Sequence, residues 1–134
     1  MKKHLQILAA FLFLTAVQQQ SSAQTATRIN FYKNSTSATV SSNLRSYQDR
    51  KIYVVKIASG QTVKIEPVKV PNSNNYITVS IKSPSGKTVG DADASCNNQK
   101  EIKATEAGDY TITVVQCRKA DAWRGRFRLK ISVK

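Results

Sequence analysis

The clearest pattern in this sequence is an alternation of apolar and polar residues with a period of two. Near the end of the chain, one row of side chains is apolar and the other is basic: Phe127, Leu129, Ile131 and Val133 against Arg126, Arg128, Lys130 and Lys134. Successive side chains of a strand point to opposite faces. The apolar row is therefore expected in the core. The basic row either lies on a solvated outer face, where charge opposes edge-to-edge aggregation, or forms a stripe that binds a polyanion.

Similar patterns predict strands along most of the chain, and helical periodicity is absent. The predicted strands cover 28–31, 38–44, 51–57, 62–70, 76–81, 101–104, 109–116 and 124–133, with turn signals at 58–61 and 83–86. The second strand is polar and expected at a sheet edge, and Pro67 marks a bend or an edge because proline cannot donate to a ladder. About eight short strands separated by turns predict an all-β fold, a small antiparallel β-sandwich or barrel, of which we favour the sandwich.

Residues 1–23 are predicted to be a cleaved signal peptide. Lys2 and Lys3 form a positive head, an apolar run covers 5–17, and small residues end at Ala23 before Gln24. The apolar run is too short to span a bilayer, which needs roughly 20 residues. Residues 24–134 are therefore expected to form the mature protein, which is periplasmic or secreted and has no membrane segment.

The mature chain has the size of one domain and a strong positive charge. The full sequence has 134 residues and a net charge of +13, and loss of Lys2 and Lys3 leaves 19 basic against 8 acidic residues, a net charge of +11. Cys96 and Cys117 form an even pair, which is expected to close as a disulfide in an oxidising compartment. Such a link stabilises a fold by about 3 kcal/mol in the chain-entropy model.

The mature chain has no histidine, and its eight acidic residues, which could still supply a carboxylate pair for hydrolysis, are scattered along the sequence. His4 is the only histidine and belongs to the signal peptide, so Ser–His or Cys–His catalysis and the common zinc sites have no imidazole. Asp91 and Asp93 resemble part of a calcium loop, but the central glycine and distal glutamate are missing, and a polar turn is favoured. We expect a binding protein with no metal and no cofactor, and not an enzyme.

Two loops carry the residue types that dominate binding surfaces. Residues 45–50 place Tyr47 between two predicted strands, and residues 118–124 contain Arg118, Arg124 and Trp123, the only tryptophan. Tyrosine, tryptophan and arginine are enriched at binding hot spots, and sandwich loops commonly present them. The alternative is that the two aromatic rings fold back onto the rim of the core. A further tyrosine, Tyr110, follows a glycine turn and is predicted to form a tyrosine corner.

The order of these segments resembles the family of periplasmic inhibitors of g-type lysozyme. The matching segments are 31–33 with 37–38, Tyr47 in its polar loop, 58–63, 107–110, 114–118 leading to 121–122, and 127–134. The resemblance implies a β-sandwich that blocks the active-site cleft of a goose-type lysozyme, its protein partner. It also implies that Tyr47 and Arg118 make central contacts.

The resemblance is less direct for the rest of the second loop. A second arginine directly follows the Asp–Ala pair in the family pattern, whereas Trp123 intervenes here before Arg124. The implied second contact is therefore Arg124, or Trp123 in its place, with Asp121 in support. The cysteine pair and residues 68–75 lie outside the family pattern.

The sequence is also compatible with other binding functions. The charge and the basic row fit a module that binds a polyanion or a cell-wall polysaccharide, and the glycine–aspartate–tyrosine turn also resembles accessory domains of secreted peptidases. Nucleic acid is the least favoured ligand because the exported chain has no row of aromatic residues for stacking.

Overall fold

The computed structural model describes residues 24–73 and 75–134; the predicted signal peptide lies outside the described residues. This part of the chain forms nine strands: β1 (Thr27–Arg28), β2 (Ser37–Leu44), β3 (Arg50–Ile57), β4 (Thr62–Pro67), β5 (Ile77–Lys82), β6 (Thr88–Val89), β7 (Lys100–Lys103), β8 (Gly108–Gln116) and β9 (Gly125–Val133). The all-β prediction is confirmed. Within the same residues, no helix has the length and apolar character needed to cross a membrane.

The strands form two sheets with the orders β1-β3-β8-β5-β6 and β2-β9-β4-β7. We call these sheet A and sheet B. All pairings are antiparallel except that of β1 with β3, which is parallel, so the predicted antiparallel sandwich is confirmed with one short parallel pair added. The first predicted strand is also too long, because only Thr27 and Arg28 pair. Strand β6 is absent from the sequence prediction, since two residues are too few to show a period.

The core lies between the two sheets and follows the alternation in the sequence. Phe127, Leu129 and Ile131 of β9 are fully buried, and Ile112 and Val114 of β8 are buried in the facing sheet. Burying a side chain of this size contributes about 1.5–3 kcal/mol. The basic residues of β9 lie on the opposite face of sheet B, where Arg126 and Lys130 are exposed and Arg128 is half-buried.

The predicted tyrosine corner is present at the start of β8. Tyr110 is buried, and its hydroxyl donates to the carbonyl of Glu106 at 2.9 Å. Gly108 has a φ of 139°, and a Cβ atom there would meet the Pro84 ring at 3.0 Å. Glycine is thus required at this turn, both for its backbone angle and for the space it leaves.

Strand pairing brings four connections to one end of the sandwich. Because β2 pairs with β9 from Leu44 to Gly125, and β3 pairs with β8 from Arg50 to Val115, the connections 45–49 and 117–124 are neighbours. The start of β5 pairs with the end of β8, which brings the connection 68–76 to the same end. The connection 90–99 lies at this end as well, because the Asn97 N–H donates to the carbonyl of Ile77, the first residue of β5, at 2.8 Å. We call this region the loop end.

Candidate functional site

The connection 117–124 is the centre of the loop end, and Tyr47 attaches the connection 45–49 to it. The Tyr47 hydroxyl donates to the carbonyl of Ala120, and the Tyr47 side chain is half-buried. The Arg118 guanidinium carbon lies 6.0 Å from the centre of the Tyr47 ring, at the outer limit of a cation–π contact. The structure therefore brings together Tyr47 and Arg118, two of the residues singled out in the sequence.

Trp123 attaches the same connection to the segment 68–76. Its indole N–H donates to the carbonyl of Tyr76 at 2.9 Å, and its ring packs against the core. The backbone N–H of Cys117 donates to the same carbonyl, also at 2.9 Å. Trp123 thus folds back onto the rim of the core, and its one polar group is used within the protein.

The backbone at Trp123 is held by a buried side chain that the sequence analysis did not single out. Gln116 is fully buried, its amide oxygen accepts the Trp123 N–H at 3.2 Å, and its amide nitrogen donates to the Trp123 carbonyl. A buried amide is stable only when its hydrogen bonds are satisfied. The signal was present in the sequence, because Gln116 occupies a core-facing position in the alternation of β8.

A disulfide provides the third attachment. Cys117 is buried and bonded to Cys96, with the two Cα atoms 5.3 Å apart, which confirms the predicted link. It joins the connection 90–99 to the connection 117–124. One phenol hydrogen bond, one indole hydrogen bond and one covalent bond therefore tie the central connection to its three neighbours.

The connection 90–99, which contains Asp91 and Asp93, is hydrogen-bonded to the ammonium group of Lys100. Lys100 is buried, and its ammonium group donates to the Asp91 carboxylate at 2.5 Å and to the carbonyls of Asp91 and Asp93 at 3.1 and 2.5 Å. This hydrogen bond from Lys100 holds the pKa of Asp91 below its usual range. Among the described residues, no group of histidine, cysteine, aspartate or glutamate side chains is placed to hold a metal ion.

The two arginines of the second predicted binding loop point to solvent. Arg118 and Arg124 are exposed, and within the described part of the chain neither has a carboxylate oxygen within 4.0 Å. Asp121 is exposed between them. Arg124 immediately precedes Gly125, which forms the first pair of the β2–β9 ladder with Leu44. The arrangement offers two unpaired guanidinium groups, each suited to a carboxylate on a partner.

Comparison with known proteins shows that solved structures share this fold. No protein-family model and no curated protein sequence matches the chain. Among solved structures it is similar to PliG of Aeromonas hydrophila, a periplasmic lysozyme inhibitor of g-type lysozyme, with 20% identity, a TM-score of 0.66, and coverage of 82% of this chain and 96% of that one.

Two further inhibitors of that description have the same fold. PliG of Salmonella Typhimurium is 22% identical with a TM-score of 0.58, and a mutant PliG of Escherichia coli is 20% identical with a TM-score of 0.56. Each comparison covers 84% of this chain and all of the other. At this identity the similarity establishes the fold, and the resemblance stated from the sequence is confirmed at that level.

Proposed function

We propose that the mature protein inhibits a goose-type lysozyme by placing its loop end, with Tyr47 and Arg118 at the centre, in the active-site cleft of the enzyme. The observation that carries this proposal is the contact between Tyr47 and Arg118 on neighbouring connections of a fold shared with three such inhibitors. The proposal includes export to the periplasm, in keeping with the predicted signal peptide and the disulfide. It assigns no catalytic role to the chain.

The chemistry of the target explains why an exposed arginine is the central contact. Glycosidases cleave their substrates with a pair of carboxyl groups in a cleft. A guanidinium fork such as that of Arg118 can form two parallel charge-assisted hydrogen bonds with one of them. Breaking such a pair in a desolvated interface costs about 2–5 kcal/mol, whereas an exposed surface pair contributes about 0–1 kcal/mol.

The three attachments of the central connection prepare it for binding. A loop that is already ordered loses less conformational entropy when it enters a cleft. Because the hydroxyl of Tyr47 and the indole of Trp123 are used to hold the loop, their role toward the target is to position it and to present the Tyr47 ring. In this scheme Arg124 is the second guanidinium contact, and Asp121 lies beside it as a supporting polar group.

The proposed inhibition does not depend on the net charge of +11 of the mature chain. Net charge sets a long-range field that accelerates association with an acidic partner and slows it with a basic one. Specific inhibition has to come from the local fit of the loop end. The proposal therefore predicts that single substitutions in that end matter more than an equal change of charge elsewhere.

Titration of a goose-type lysozyme with the purified mature protein tests the proposal. Lysis of peptidoglycan-rich cells should fall to zero near one inhibitor per enzyme, and a chicken-type lysozyme run in parallel should keep its activity. Arg118→Ala should weaken inhibition by about tenfold or more, equivalent to about 1.4 kcal/mol. Lys82→Ala is the matched control, because Lys82 is an exposed cation at the far end of β5.

Each alternative outcome has a distinct meaning. Loss of both lysozyme activities would show that the protein coats the anionic substrate, which contradicts a fit to one enzyme. No effect on either enzyme would reject the proposed function. Equal inhibition by the Arg118→Ala and Lys82→Ala variants would reject the role of the loop end while leaving an inhibitor.

A further inference from the structure

We propose that a cavity beside the loop end binds a carboxylate-bearing oligosaccharide. The cavity has a volume of about 380 Å³, within the size range of small-molecule sites, and lies between residues 67–69, 73 and 75–77 on one side and Arg128 of β9 on the other. Its polar and aromatic lining consists of Lys69, Ser73, Asn75, Tyr76, Asn97 and Arg128. This site is separate from the contact of Tyr47 with Arg118.

The charge of the lining selects an anion. Lys69 and Arg128 line the cavity, and none of its lining residues is acidic. A second and larger depression on the outer face of sheet B, about 650 Å³, differs in this respect, because Glu66 and Glu101 line it together with lysines. There the Glu66 carboxylate lies 2.7 Å from the Lys64 ammonium group, so part of the positive charge is already neutralised within the protein.

Tyr76 supplies an apolar surface that a simple anion would not need. Tyr76 is 42% exposed, and among the described residues it and Tyr32 are the two large hydrophobic residues that are exposed to solvent. Its backbone is fixed, because its carbonyl accepts hydrogen bonds from the Trp123 indole and the Cys117 N–H, each at 2.9 Å. An exposed aromatic ring on a rigid backbone can pack against the C–H face of a sugar ring.

Neutral hydrogen-bonding groups complete the lining. The side-chain oxygen of Asn97 accepts the Ile77 N–H at 2.9 Å, which leaves its NH₂ group as a donor. Ser73 and Asn75 add a hydroxyl and a second amide. Cations, neutral donors and one aromatic surface in a single cavity match a sugar that carries both hydroxyl and carboxylate groups.

The outer face of sheet B extends the site beyond one sugar. Arg126 and Lys130 flank Arg128 on the same face of β9, each about 6.8 Å away along the strand. On β2 the residues paired with these three cations are uncharged and polar: Asn43, Ser41 and Thr39. On β4, however, Lys130 pairs with Glu66, so the part of the row without an acidic strand partner is Arg126 and Arg128. A glycan with carboxylates at intervals can continue along this row. Among the residues that line the cavity and the basic row of β9, Tyr76 is the only aromatic one, whereas sequence-tolerant binding of single-stranded nucleic acid requires several stacking platforms.

The test measures direct binding of two hexasaccharides that share a backbone. One is the peptidoglycan glycan strand, whose alternate N-acetylmuramic acid units carry carboxylates; the other is chitohexaose, which has none. The choice of the first probe rests on the proposed function, since this polymer is the substrate of a lysozyme. No lysozyme is present in the assay, so its failure and the failure of inhibition are separate results.

Calorimetric titration of the mature protein should show the peptidoglycan hexasaccharide binding about tenfold more tightly than chitohexaose. Arg128→Gln and Lys69→Gln should each reduce that preference severalfold, and Tyr76→Leu should weaken the binding of both sugars. Lys69 is exposed, so its variant keeps the test valid if substitution of the half-buried Arg128 impairs folding. Lys82→Gln is the charge-matched control and should bind as the wild type does.

Three results would overturn the proposal. Equal affinity for the two hexasaccharides would show that the carboxylates are not recognised. An unchanged preference in both the Arg128→Gln and Lys69→Gln variants would place recognition elsewhere. A single-stranded oligonucleotide that binds as tightly as the peptidoglycan strand, with a steep loss of affinity as salt rises, would show a general polyanion surface instead.

Discussion

The hydroxyl group of Tyr47 is the smallest part of the loop end whose removal tests how the end is held together. Tyr47→Phe deletes one oxygen and keeps the ring that contacts Arg118. The lost interaction is the hydrogen bond to the Ala120 carbonyl, between residues 73 positions apart in the chain. The substitution therefore separates the attachment of the two loops from the contact surface that they present.

The size of the effect follows from the surroundings of that bond. Tyr47 and Ala120 are half-buried, so water can reach the Ala120 carbonyl once the hydroxyl is gone. The free energy of unfolding should then fall by about 0.5–1.5 kcal/mol, the usual net value of a hydrogen bond, without the larger penalty of a buried unpaired group. If the same free energy is lost from the binding of the inhibitor to the lysozyme, inhibition weakens by about 2- to 12-fold.

Two measurements on one set of variants check this prediction. Urea unfolding, followed by the fluorescence of the single tryptophan, reports stability at the loop end, and titration of a goose-type lysozyme reports inhibition. Tyr47→Ala should weaken inhibition further than Tyr47→Phe, because it also removes the ring. Tyr32→Phe is the control, since Tyr32 is 86% exposed and lies in the connection 29–36 at the opposite end of the sandwich.

The reasoning would be refuted by a Tyr47→Phe variant that is as stable as the wild type and inhibits equally well. In that case the hydrogen bond to Ala120 does not hold the two connections together. A Tyr47→Phe variant with wild-type stability and the inhibition defect of Tyr47→Ala would have a different meaning. The hydroxyl would then act on the target directly.

Three further predictions concern interactions that stabilise the β-sandwich: the disulfide, the tyrosine corner and one ion pair. Replacing Cys96 and Cys117 by serine opens a link across a sequence separation of 21 and should lower the free energy of unfolding by about 3 kcal/mol in chemical denaturation; a loss below about 1 kcal/mol would contradict the chain-entropy argument. Tyr110→Phe removes the hydroxyl of the tyrosine corner and should lower the unfolding midpoint at an equivalent cost of about 0.5–1.5 kcal/mol, with lysozyme inhibition unchanged. The hydrogen bond from Arg28 holds the pKa of Asp109 below its usual range. The ion pair therefore stabilises the fold at pH values above the unfolded pKa of about 3.9. This stabilisation is lost as the pH falls through the pKa that Asp109 has in the folded protein. When unfolding is compared at about pH 5 and at successively lower pH, Asp109→Asn should accordingly lose less stability than the wild type. Parallel curves would exclude the pair as a contributor.

Many of the strands and turns were predictable because they depend on the pattern of residues within one short segment. The alternation that predicts the last strand is a property of one segment, and the strand appears as Gly125–Val133 with its apolar row buried. The tyrosine corner is local in the same sense, since Gly108 and Tyr110 are two residues apart. The strand predicted over 62–70 ran three residues too far, because β4 ends at Pro67, the residue predicted to mark a bend or an edge.

Errors and omissions occurred where the outcome depends on distant partners. Strand β1 is short and parallel to β3 because of where the chain enters sheet A, which no periodicity encodes. The burial of Lys100 depends on two carbonyls and a carboxylate supplied by the connection 90–99. Gln116 appeared as the last residue of a predicted strand, and its function became apparent only when the Trp123 backbone was found paired with its amide group.

The sequence by itself determined the fold class, the charge and the residue types available for binding, and it offered one pair of cysteines whose closure needed the 5.3 Å Cα separation seen in the structure. Only the tertiary structure decided how those residues are arranged. The pairing of β2 with β9 and of β3 with β8 places Tyr47 against Ala120 and near Arg118, and it turns Trp123 inward to Tyr76. The physical reason is that side-chain alternation is fixed within each strand, whereas the neighbours of a loop are fixed by strand pairing and by the core that both sheets share.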